Sequence, residues 1–326
     1  MSPRIDDTFA EAFPMVGTRL IFTAATRELA RIAAQEFCGN ASSVIGCDTE
    51  AAIECEIAVE ASPDGRPGIA VLAFAFSRKD LEKAVAARVG QNVLTCPTTA
   101  CYAGLDSPVE KQIKLGAQLR FFGDGHQISK KLGDRRLWRV PVMDGEFLID
   151  DITGTQKGVG GGNLIVTGRE PADCLADVQA AVNEIRKLPD IILPFPAGIV
   201  RSGSKVGSKY PQLRASTNDS WCPSLRHLNA ATNDHASESE TTVQSDRVGE
   251  AEASSGTAAG PAPLGLDENV VYEIVIDGLS EESVAKAMRT GIRVLSQSDS
   301  ILRISAGNYG GKLGPFHFKL RDLLSV

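Results

Sequence analysis

The order of apolar segments is the feature that most constrains how this chain can fold. In the first half, strand-length apolar segments cover residues 19–24 and 69–76, and each is followed by an amphipathic segment of helical length. Thr26 and Ser77 stand where their side chains can cap those helices. Such alternation argues against all-α and all-β folds. Two strand–helix units with extra strands between them match the split βαβ pattern of ferredoxin-like folds.

The second half repeats this order. Residues 163–167 and 270–276 have the composition of strands, and each precedes a segment with apolar side chains at helical spacing. Pro171 is suited to the first turn of one helix, and Ser280 to the cap of the other. The sequence therefore predicts an α+β fold made of two ferredoxin-like lobes.

We expect the N-terminal lobe to be residues 1–155 and the C-terminal lobe to be residues 156–326, with a further strand at 92–96. The composition changes between residues 229 and 263, which are nearly all small or polar and carry six acidic side chains against a single arginine. Such a segment cannot bury enough apolar surface to offset the entropy of ordering. It is predicted to be a flexible acidic insertion, either a solvated loop or an interaction segment for a partner protein.

Composition excludes several classes of function. The net charge of −7 argues against a nucleic-acid-binding protein, whose surface is normally basic. The longest apolar runs have the length of strands, and the N-terminus lacks the features of a signal peptide, so we expect a cytoplasmic protein with no membrane span. The seven cysteines are scattered and none forms a CxxC pair, which predicts reduced thiols and no metal site.

Three glycine-rich segments are candidate ligand sites, and the first covers residues 157–163. It nearly fits the dinucleotide fingerprint GxGxxG, but Asn163 occupies the sixth position and the run precedes a strand instead of following one. A flexible connection between lobes and a place where a ligand or another backbone approaches closely both remain open. The candidate binding residues here are Gly161, Gly162 and Asn163.

The second segment, residues 196–210, places cations among glycines and serines. Exposed backbone N–H groups beside cationic side chains suit a phosphate or carboxylate ligand. The Gly-Lys-Ser/Thr order of a phosphate-binding loop is absent, and a mobile basic surface loop is the alternative. The candidate binding residues are Arg201, Ser202, Ser204, Lys205 and Lys209.

The third segment, residues 305–314, lies near the C-terminus. Its Gly-Lys pair also fails as a phosphate-binding loop, because the earlier glycine and the following Ser or Thr are missing. Asn308, Tyr309 and Lys312 are candidate ligand contacts, and a tight loop between two strands is the alternative.

Glu273 is the candidate catalytic residue. In the strand segment 271–276, alternation places it on one face between Val271 and Val275. If that face is covered, burial should raise the pKa of Glu273 and make it a usable general acid or base. If the face is open to water, Glu273 is a solvated strand residue.

Several of these segments carry a family resemblance that extends over nearly the whole chain. The sequence is similar to formylmethanofuran:tetrahydromethanopterin formyltransferases. The matching segments are residues 7–15, 63–68, 119–125, 161–163, 202–208, 215–218, 271–276 and 304–314.

This resemblance implies reversible transfer of a formyl group from the amine of methanofuran to N5 of tetrahydromethanopterin. It implies a two-lobed ferredoxin-like subunit, a homo-oligomer (typically a tetramer), sites between subunits, and no prosthetic group. Acyl transfer between two nitrogens passes through an oxyanion and needs one group that shuttles protons. Glu273 is the expected shuttle, and the basic loop with Lys312 is expected to clamp the anionic tails of the carriers.

The insertion 229–263 looks longer than the family's usual connection at that point, which bears on the oligomer and partners more than on the reaction. We expect a bacterial enzyme of one-carbon oxidation that works from formyl-pterin towards formylmethanofuran. Two alternatives remain open at this stage. One is a non-catalytic structural subunit of a formyltransferase/hydrolase complex, and the other is a formyltransferase that uses another carrier, such as a folate.

Overall fold

The computed structural model describes residues 2–106, 108–203, 205–227 and 262–324. Ser204 lies outside these ranges, and so does the predicted insertion 229–263 except for its last two residues. Among the described residues, no helix has both the length and the apolar character needed to cross a membrane. The same ranges contain no group of three or more His, Cys, Asp or Glu side chains that could hold a metal ion.

Strands and helices alternate along the described chain and form a mixed α/β structure, in agreement with the α+β class. The strands are β1 (Arg4–Ile5), β2 (Phe9–Thr23), β3 (Glu50–Ile57), β4 (Gly68–Ala75), β5 (Ala100–Ala103), β6 (Gln112–Ile113), β7 (Ile128–Leu132), β8 (Arg135–Val142), β9 (Gly145–Asp150), β10 (Thr153–Gly154), β11 (Gln156–Gly168), β12 (Ile191–Ile192), β13 (Lys205–Val206), β14 (Ala215–Ser216), β15 (Val270–Gly278), β16 (Ile301–Ser305) and β17 (Phe316–Lys319). The α-helices are α1 (Arg27–Cys38), α2 (Arg78–Arg88), α3 (Leu115–Leu119), α4 (Pro171–Ile185), α5 (Glu281–Leu295) and α6 (Leu320–Leu324).

One large mixed sheet runs through both halves of the chain. Its main strand order is β1-β16-β11-β2-β5-β9-β8-β7, and β4 and β17 also pair with β2 while β15 pairs with β11. The long strands β2 and β11 are antiparallel to each other, with Met15 opposite Gly158. Further along β2, Leu20 lies between Val71 of β4 and Ala103 of β5. A continuous sheet therefore connects the two halves.

The glycine run before Asn163 belongs to β11, so the alternative of a flexible connection between lobes is wrong. A methyl group on Gly158 would lie 2.8 Å from the carbonyl oxygen of Gly278, and one on Gly160 would lie 2.2 Å from the sulfur of Met15. The neighbouring strands approach too closely to leave room for side chains there. Close approach of other protein atoms, which the sequence left open, is therefore one reason for these glycines.

Two hydrophobic cores pack against the sheet. The first lies under α1 and α2, where the rings of Phe22 and Phe37 meet edge to face at 5.1 Å. The second lies under α4 and α5 and also includes Ala10 and Ala12 from the start of β2. A smaller group, called the bridging cluster below, joins residues from both halves of the chain; its buried members are Met15, Leu72, Phe74, Ile192 and Leu279.

The predicted helix starts are confirmed. The side chains of Thr26, Ser77 and Ser280 each accept a hydrogen bond from the backbone N–H three residues further on. Pro171 occupies the first turn of α4, where its missing N–H has no partner to lose. Capping depends on residues that are adjacent in sequence, which is why the sequence alone located these helix starts.

The predicted strand at 92–96 is wrong. The chain continues from α2 into a π-helical turn, Val89–Val93, and then into a loop. Val89 and Val93 are completely buried against the first core. Their spacing of four residues places both side chains on one helical face, and that contact outweighs the β propensity of the segment.

Candidate functional site

A cavity of about 1060 Å³ is lined by residues from both halves of the chain. Its walls come from the start of β2, the glycine-rich part of β11, the middle of β15, and the loop that follows β16. All three glycine-rich segments contribute to it. The predicted site residues that line the cavity are Gly161, Asn163, Lys205, Glu273, Asn308 and Tyr309.

Glu273 is buried in the wall of this cavity, with 3% of its surface exposed. It lies in the middle of β15, opposite Ile165 of β11. On its other side its backbone forms a two-way bridge with Val200: the Val200 N–H donates to the Glu273 carbonyl at 2.7 Å, and the Glu273 N–H donates back at 2.9 Å. The alternative of an open, solvated strand face is therefore wrong.

Asn163 connects the first and third glycine-rich segments. Its Oδ1 accepts a hydrogen bond from the backbone N–H of Gly307 at 2.6 Å. Its Nδ2 donates to the carbonyl oxygens of Gly161 and Gly307 at 3.2 and 3.3 Å. Because the side chain is buried and bonded on both sides, it fixes the backbone of two walls relative to each other.

The third segment is a loop between β16 and β17, as one of the two sequence interpretations predicted. Asn308 anchors this loop to the beginning of the chain, since its Nδ2 donates to the Thr8 hydroxyl at 3.1 Å and to the Phe9 carbonyl at 3.3 Å. The hydroxyl of Tyr309 accepts a hydrogen bond from the Val206 N–H at 3.2 Å, which joins the third segment to the second.

Burial raises the pKa of Tyr309, and the negative charges of Glu273 and Glu11 add to the effect, although the hydrogen bond from Val206 opposes it. The phenol therefore keeps its proton at neutral pH. It is a neutral hydrogen-bond donor in the same cavity as the Glu273 carboxyl group.

Lys205 is the cation of the second segment that reaches the cavity. Its Nζ lies 2.5 Å from Oδ1 of Asp219, which also lines the cavity. The hydrogen bond from Lys205 lowers the pKa of Asp219. Both side chains are partly exposed, so this ion pair can open without a large cost in free energy.

The other predicted residues do not line the main cavity. Gly162 packs against the side chain of Val284. Arg201 and Ser202 border a second, smaller pocket of about 20 Å³ that also reaches Glu273. Lys209 and Lys312 are exposed. Ser204 lies outside the described residues.

Sequence reasoning missed Glu11, which lines the cavity with 1% of its surface exposed. Burial by itself would raise its pKa, but backbone N–H donors outweigh that and lower it. Tyr309 and Gly311 donate to Oε2 at 2.6 and 3.0 Å, and Leu313 and Gly314 donate to Oε1. Glu11 is therefore a buried carboxylate that holds the third glycine-rich segment in place.

Sequence reasoning also missed a pair of buried acids, Glu50 and Asp277. Their carboxyl groups are hydrogen-bonded to each other, and Glu50 lines the cavity. Burial raises the pKa of Glu50, and it raises the pKa of Asp277 well above its usual range together with the charge of Glu50. The position of Asp277, four residues after Glu273 on the same strand, was the signal available in the sequence.

Two phenylalanine rings form an apolar part of the cavity wall. The rings of Phe13 and Phe76 are 5.6 Å apart and tilted by 44°, and both line the cavity. Phe76 is 58% exposed, which is unusual for a side chain of this size. Aromatic side chains of this kind stack on flat heterocyclic ligands.

Comparison with known proteins gives full-length matches. The family model for formylmethanofuran-tetrahydromethanopterin formyltransferase matches residues 2–142, and a model for the proximal lobe of the same proteins matches residues 145–246 and 257–323. A formylmethanofuran–tetrahydromethanopterin formyltransferase of Methylobacillus flagellatus is 48% identical, over 98% of each chain.

Two solved structures resemble this one closely. One is the formyltransferase/hydrolase complex of Methylorubrum extorquens with methylofuran, in which the matching chain has a TM-score of 0.83 and 43% identity over 98% of this chain and 96% of that one. The other is the formylmethanofuran:tetrahydromethanopterin formyltransferase of Methanosarcina barkeri, with a TM-score of 0.83 and 40% identity over 99% and 98%.

Proposed function

This chain belongs to the family of formylmethanofuran–tetrahydromethanopterin formyltransferases, and on that basis we propose that its cavity carries out the formyl transfer with Glu273 as the proton shuttle. The protein is a transferase that moves a formyl group between methanofuran and N5 of tetrahydromethanopterin. Both carriers are co-substrates. The alternative of a purely structural subunit is not favoured, because relatives that match over nearly their full length are themselves named as formyltransferases.

The observation that carries the proposed mechanism is a buried carboxyl group, Glu273, in the wall of a cavity shared by all three glycine-rich segments. In the direction of pterin formylation, N5 attacks the formyl carbon and a tetrahedral oxyanion forms. The bond from carbon to the methanofuran nitrogen then breaks. Glu273 accepts the proton released by N5 and gives it to the leaving amine, so the enzyme returns to its starting state.

Tyr309 supports this chemistry as a hydrogen-bond donor to the developing oxyanion. Its raised pKa keeps the hydroxyl protonated, and Glu273 lies near enough for its charge to contribute to that shift. A preorganised neutral donor stabilises negative charge more effectively than water does, because it needs no reorganisation when the charge develops.

The remaining predicted residues suit the carriers. Lys205 is placed to bind an anionic tail at the cavity wall, while Arg201, Lys209 and Lys312 lie on the surface around it. The pair Phe13 and Phe76 offers a stacking surface for a flat ring. The Methylorubrum extorquens complex was solved with methylofuran, so methylofuran belongs among the substrates tested.

We also propose a cytoplasmic homotetramer of two-lobed, ferredoxin-like subunits, divided near residues 155 and 156, that works from formyl-pterin towards the furan carrier. Association with further subunits of a formyltransferase/hydrolase complex, as in the Methylorubrum extorquens relative, is the accompanying proposal. Light scattering on the purified chain, alone and after isolation from its native cells, distinguishes a tetramer from a larger assembly.

The test of the reaction is direct. Purified protein is mixed with formylmethanofuran and tetrahydromethanopterin, and formyl-pterin is followed by mass spectrometry. Wild-type protein should turn over, and Glu273→Gln should lose about 100-fold or more in kcat, because the amide cannot accept a proton. Glu282→Gln, on the exposed first turn of α5, is the matched control and should keep wild-type activity. Equal turnover by wild type and Glu273→Gln would remove the shuttle role and leave the enzyme.

A further inference from the structure

Glu50 and Asp277 meet across the two halves of the chain. Glu50 is the first residue of β3 and is 4% exposed, and Asp277 near the end of β15 is fully buried. Their surroundings are the apolar bridging cluster, which includes Ile192, the residue paired with Asp277 on β12. Neither acid has a role in the mechanism above.

Each acid also holds a piece of the cavity wall. Oε1 of Glu50 accepts the Val44 N–H at 2.9 Å, and Val44 lies between the cavity-lining residues Ser43 and Ile45. Oδ1 of Asp277 accepts the Gly161 N–H at 3.0 Å. Gly161 has a φ of +85°, at the irregularity in β11 that directly precedes Asn163.

The hydrogen bond between the two acids requires a proton. Ionised carboxylates only accept hydrogen bonds, so two of them cannot bond to each other unless one is protonated. Oδ2 of Asp277 is buried and receives no N–H or hydroxyl from the described chain. The Glu50 carboxyl group is its side-chain hydrogen-bond partner. Burial raises the pKa of both acids, in agreement with a retained proton.

In the described elements around the pair, no cationic side chain is available to neutralise the two carboxylates if that proton is lost. The described residues of β4 and β12 are uncharged. Arg19, on β2, is bonded to Glu54 and Asp190. Lys157 of β11 is exposed to solvent. Glu273, on the same strand as Asp277, is an acid and supplies no positive charge. The remaining nearby charges on β3 and β2, Glu56 and Glu11, are negative and cannot neutralise the pair.

We propose that Glu50 and Asp277 share one proton, and that the resulting hydrogen bond holds the 43–50 segment against the irregularity at Gly161. This contact, called the clasp below, positions the cavity wall for formyl transfer. The pair is a positioning device and not a second shuttle. Glu273 and Asp277 lie on one face of β15 four residues apart, which corresponds to about 13 Å along the strand. That is too far for both to act on one reacting nitrogen.

The first test needs no substrate, so it stands even if the proposed reaction fails. The pair keeps one shared proton in the folded state, whereas both acids of the unfolded chain ionise above about pH 4. The folded protein therefore holds one proton more than the unfolded chain from that pH up to the pH at which the pair loses the shared proton. Stability therefore falls with rising pH through that window. In Glu50→Gln the amide supplies the hydrogen permanently. Across this window the unfolding constant of wild type should therefore rise by a factor of ten per pH unit that Glu50→Gln does not show.

Chemical unfolding at a series of pH values measures this difference. Glu56→Gln, exposed on the same strand, is the matched control and should keep the wild-type slope above its own acid range. Asp277→Asn repeats the test from the other partner, because its Nδ2 can donate to Glu50 while its Oδ1 still accepts from Gly161. A wild-type slope in both Glu50→Gln and Asp277→Asn overturns the proposal.

The second test is kinetic and rests on the proposed function. Wild-type kcat/KM should fall on the alkaline side as the pair loses its proton. Asp277→Asn, whose side chain is not part of the cavity lining, should stay within about threefold of wild type at neutral pH, since the hydrogen bond is kept, and should not show that fall. A folded Asp277→Asn enzyme without activity at any pH would mean that the proton must move during turnover, which contradicts a clasp. If wild type shows no formyl transfer, the proposed function fails. The unfolding measurements at different pH values then still test whether the two acids share a proton.

Discussion

Glu11 and Glu50 line the same cavity and are almost equally buried, 1% and 4% exposed, yet their surroundings favour opposite charge states. Four backbone N–H groups surround Glu11 and lower its pKa. Burial raises the pKa of Glu50, and its hydrogen bonds with the Asp277 carboxyl group, the Val44 N–H and the Ser43 side chain lower it too little to offset that rise. Burial penalises charge at both places. The number of N–H donors that the fold delivers decides which carboxyl group stays ionised.

The largest expected difference in stability is between two single variants, Glu11→Gln and Glu50→Gln. In Glu11→Gln an amide NH₂ replaces an oxygen that accepts two backbone N–H groups. Those two N–H groups then face another hydrogen-bond donor and lose their acceptor. We expect a loss of about 2–4 kcal/mol in the free energy of unfolding. Glu50→Gln should cost less than about 1 kcal/mol near pH 5, because the shared hydrogen is retained. Urea unfolding measures both, and equal losses would contradict the comparison.

The space around the acid pair gives the next effect. In Gly160→Ala the new methyl group would lie 2.2 Å from the sulfur of Met15 and 3.3 Å from Oδ1 of Asp277. We expect a loss of about 1–3 kcal/mol in unfolding free energy from overpacking. Gly46→Ala is the control, since its methyl group would meet nothing within 4 Å, and it should change stability by less than about 0.5 kcal/mol. Similar thermal midpoints for the two variants would show that the strands can separate at little cost.

The pH dependence of stability should have opposite signs at Glu11 and at Glu50. The folded-state pKa of Glu11 is lowered, so its contribution to stability is complete above its ordinary pKa of about 4.3 and is lost as the pH falls through the folded value. The stability advantage of wild type over Glu11→Gln should therefore shrink on acidification. The stability of Glu50→Gln relative to wild type should instead increase as the pH rises. Unfolding curves between about pH 2 and pH 7 test both trends.

The smallest effect on stability is expected at the exposed ion pair. Lys205→Met removes the partner of Asp219, and both side chains are partly exposed, so unfolding free energy should change by about 0.5 kcal/mol or less. If Lys205 binds a carrier tail, KM for that carrier should rise while kcat changes little. Steady-state kinetics with each carrier varied in turn measures this. An unchanged KM for both carriers would remove Lys205 from the binding site.

Several features of the site could be predicted from residues close together in the sequence. The glycine-rich segments identified Asn163, Asn308 and Tyr309, and the alternation around Glu273 identified the residue that the cavity encloses. The strand at 92–96 was wrong because contact with the first core decided the conformation of a short apolar run. Such a run has nearly equal preference for helix and strand until its neighbours are present.

The acids show where sequence reasoning stops. The donors to Glu11 lie about 300 positions away, at residues 309–314, and Glu50 meets Asp277 from the opposite half of the chain. The sequence by itself determined the order of most of the longer strands and helices, and their caps, because these follow from local periodicity and from residues that are adjacent in sequence. Only the tertiary structure decided which buried carboxyl groups keep a proton, because that depends on hydrogen-bond donors which the fold brings from distant parts of the chain.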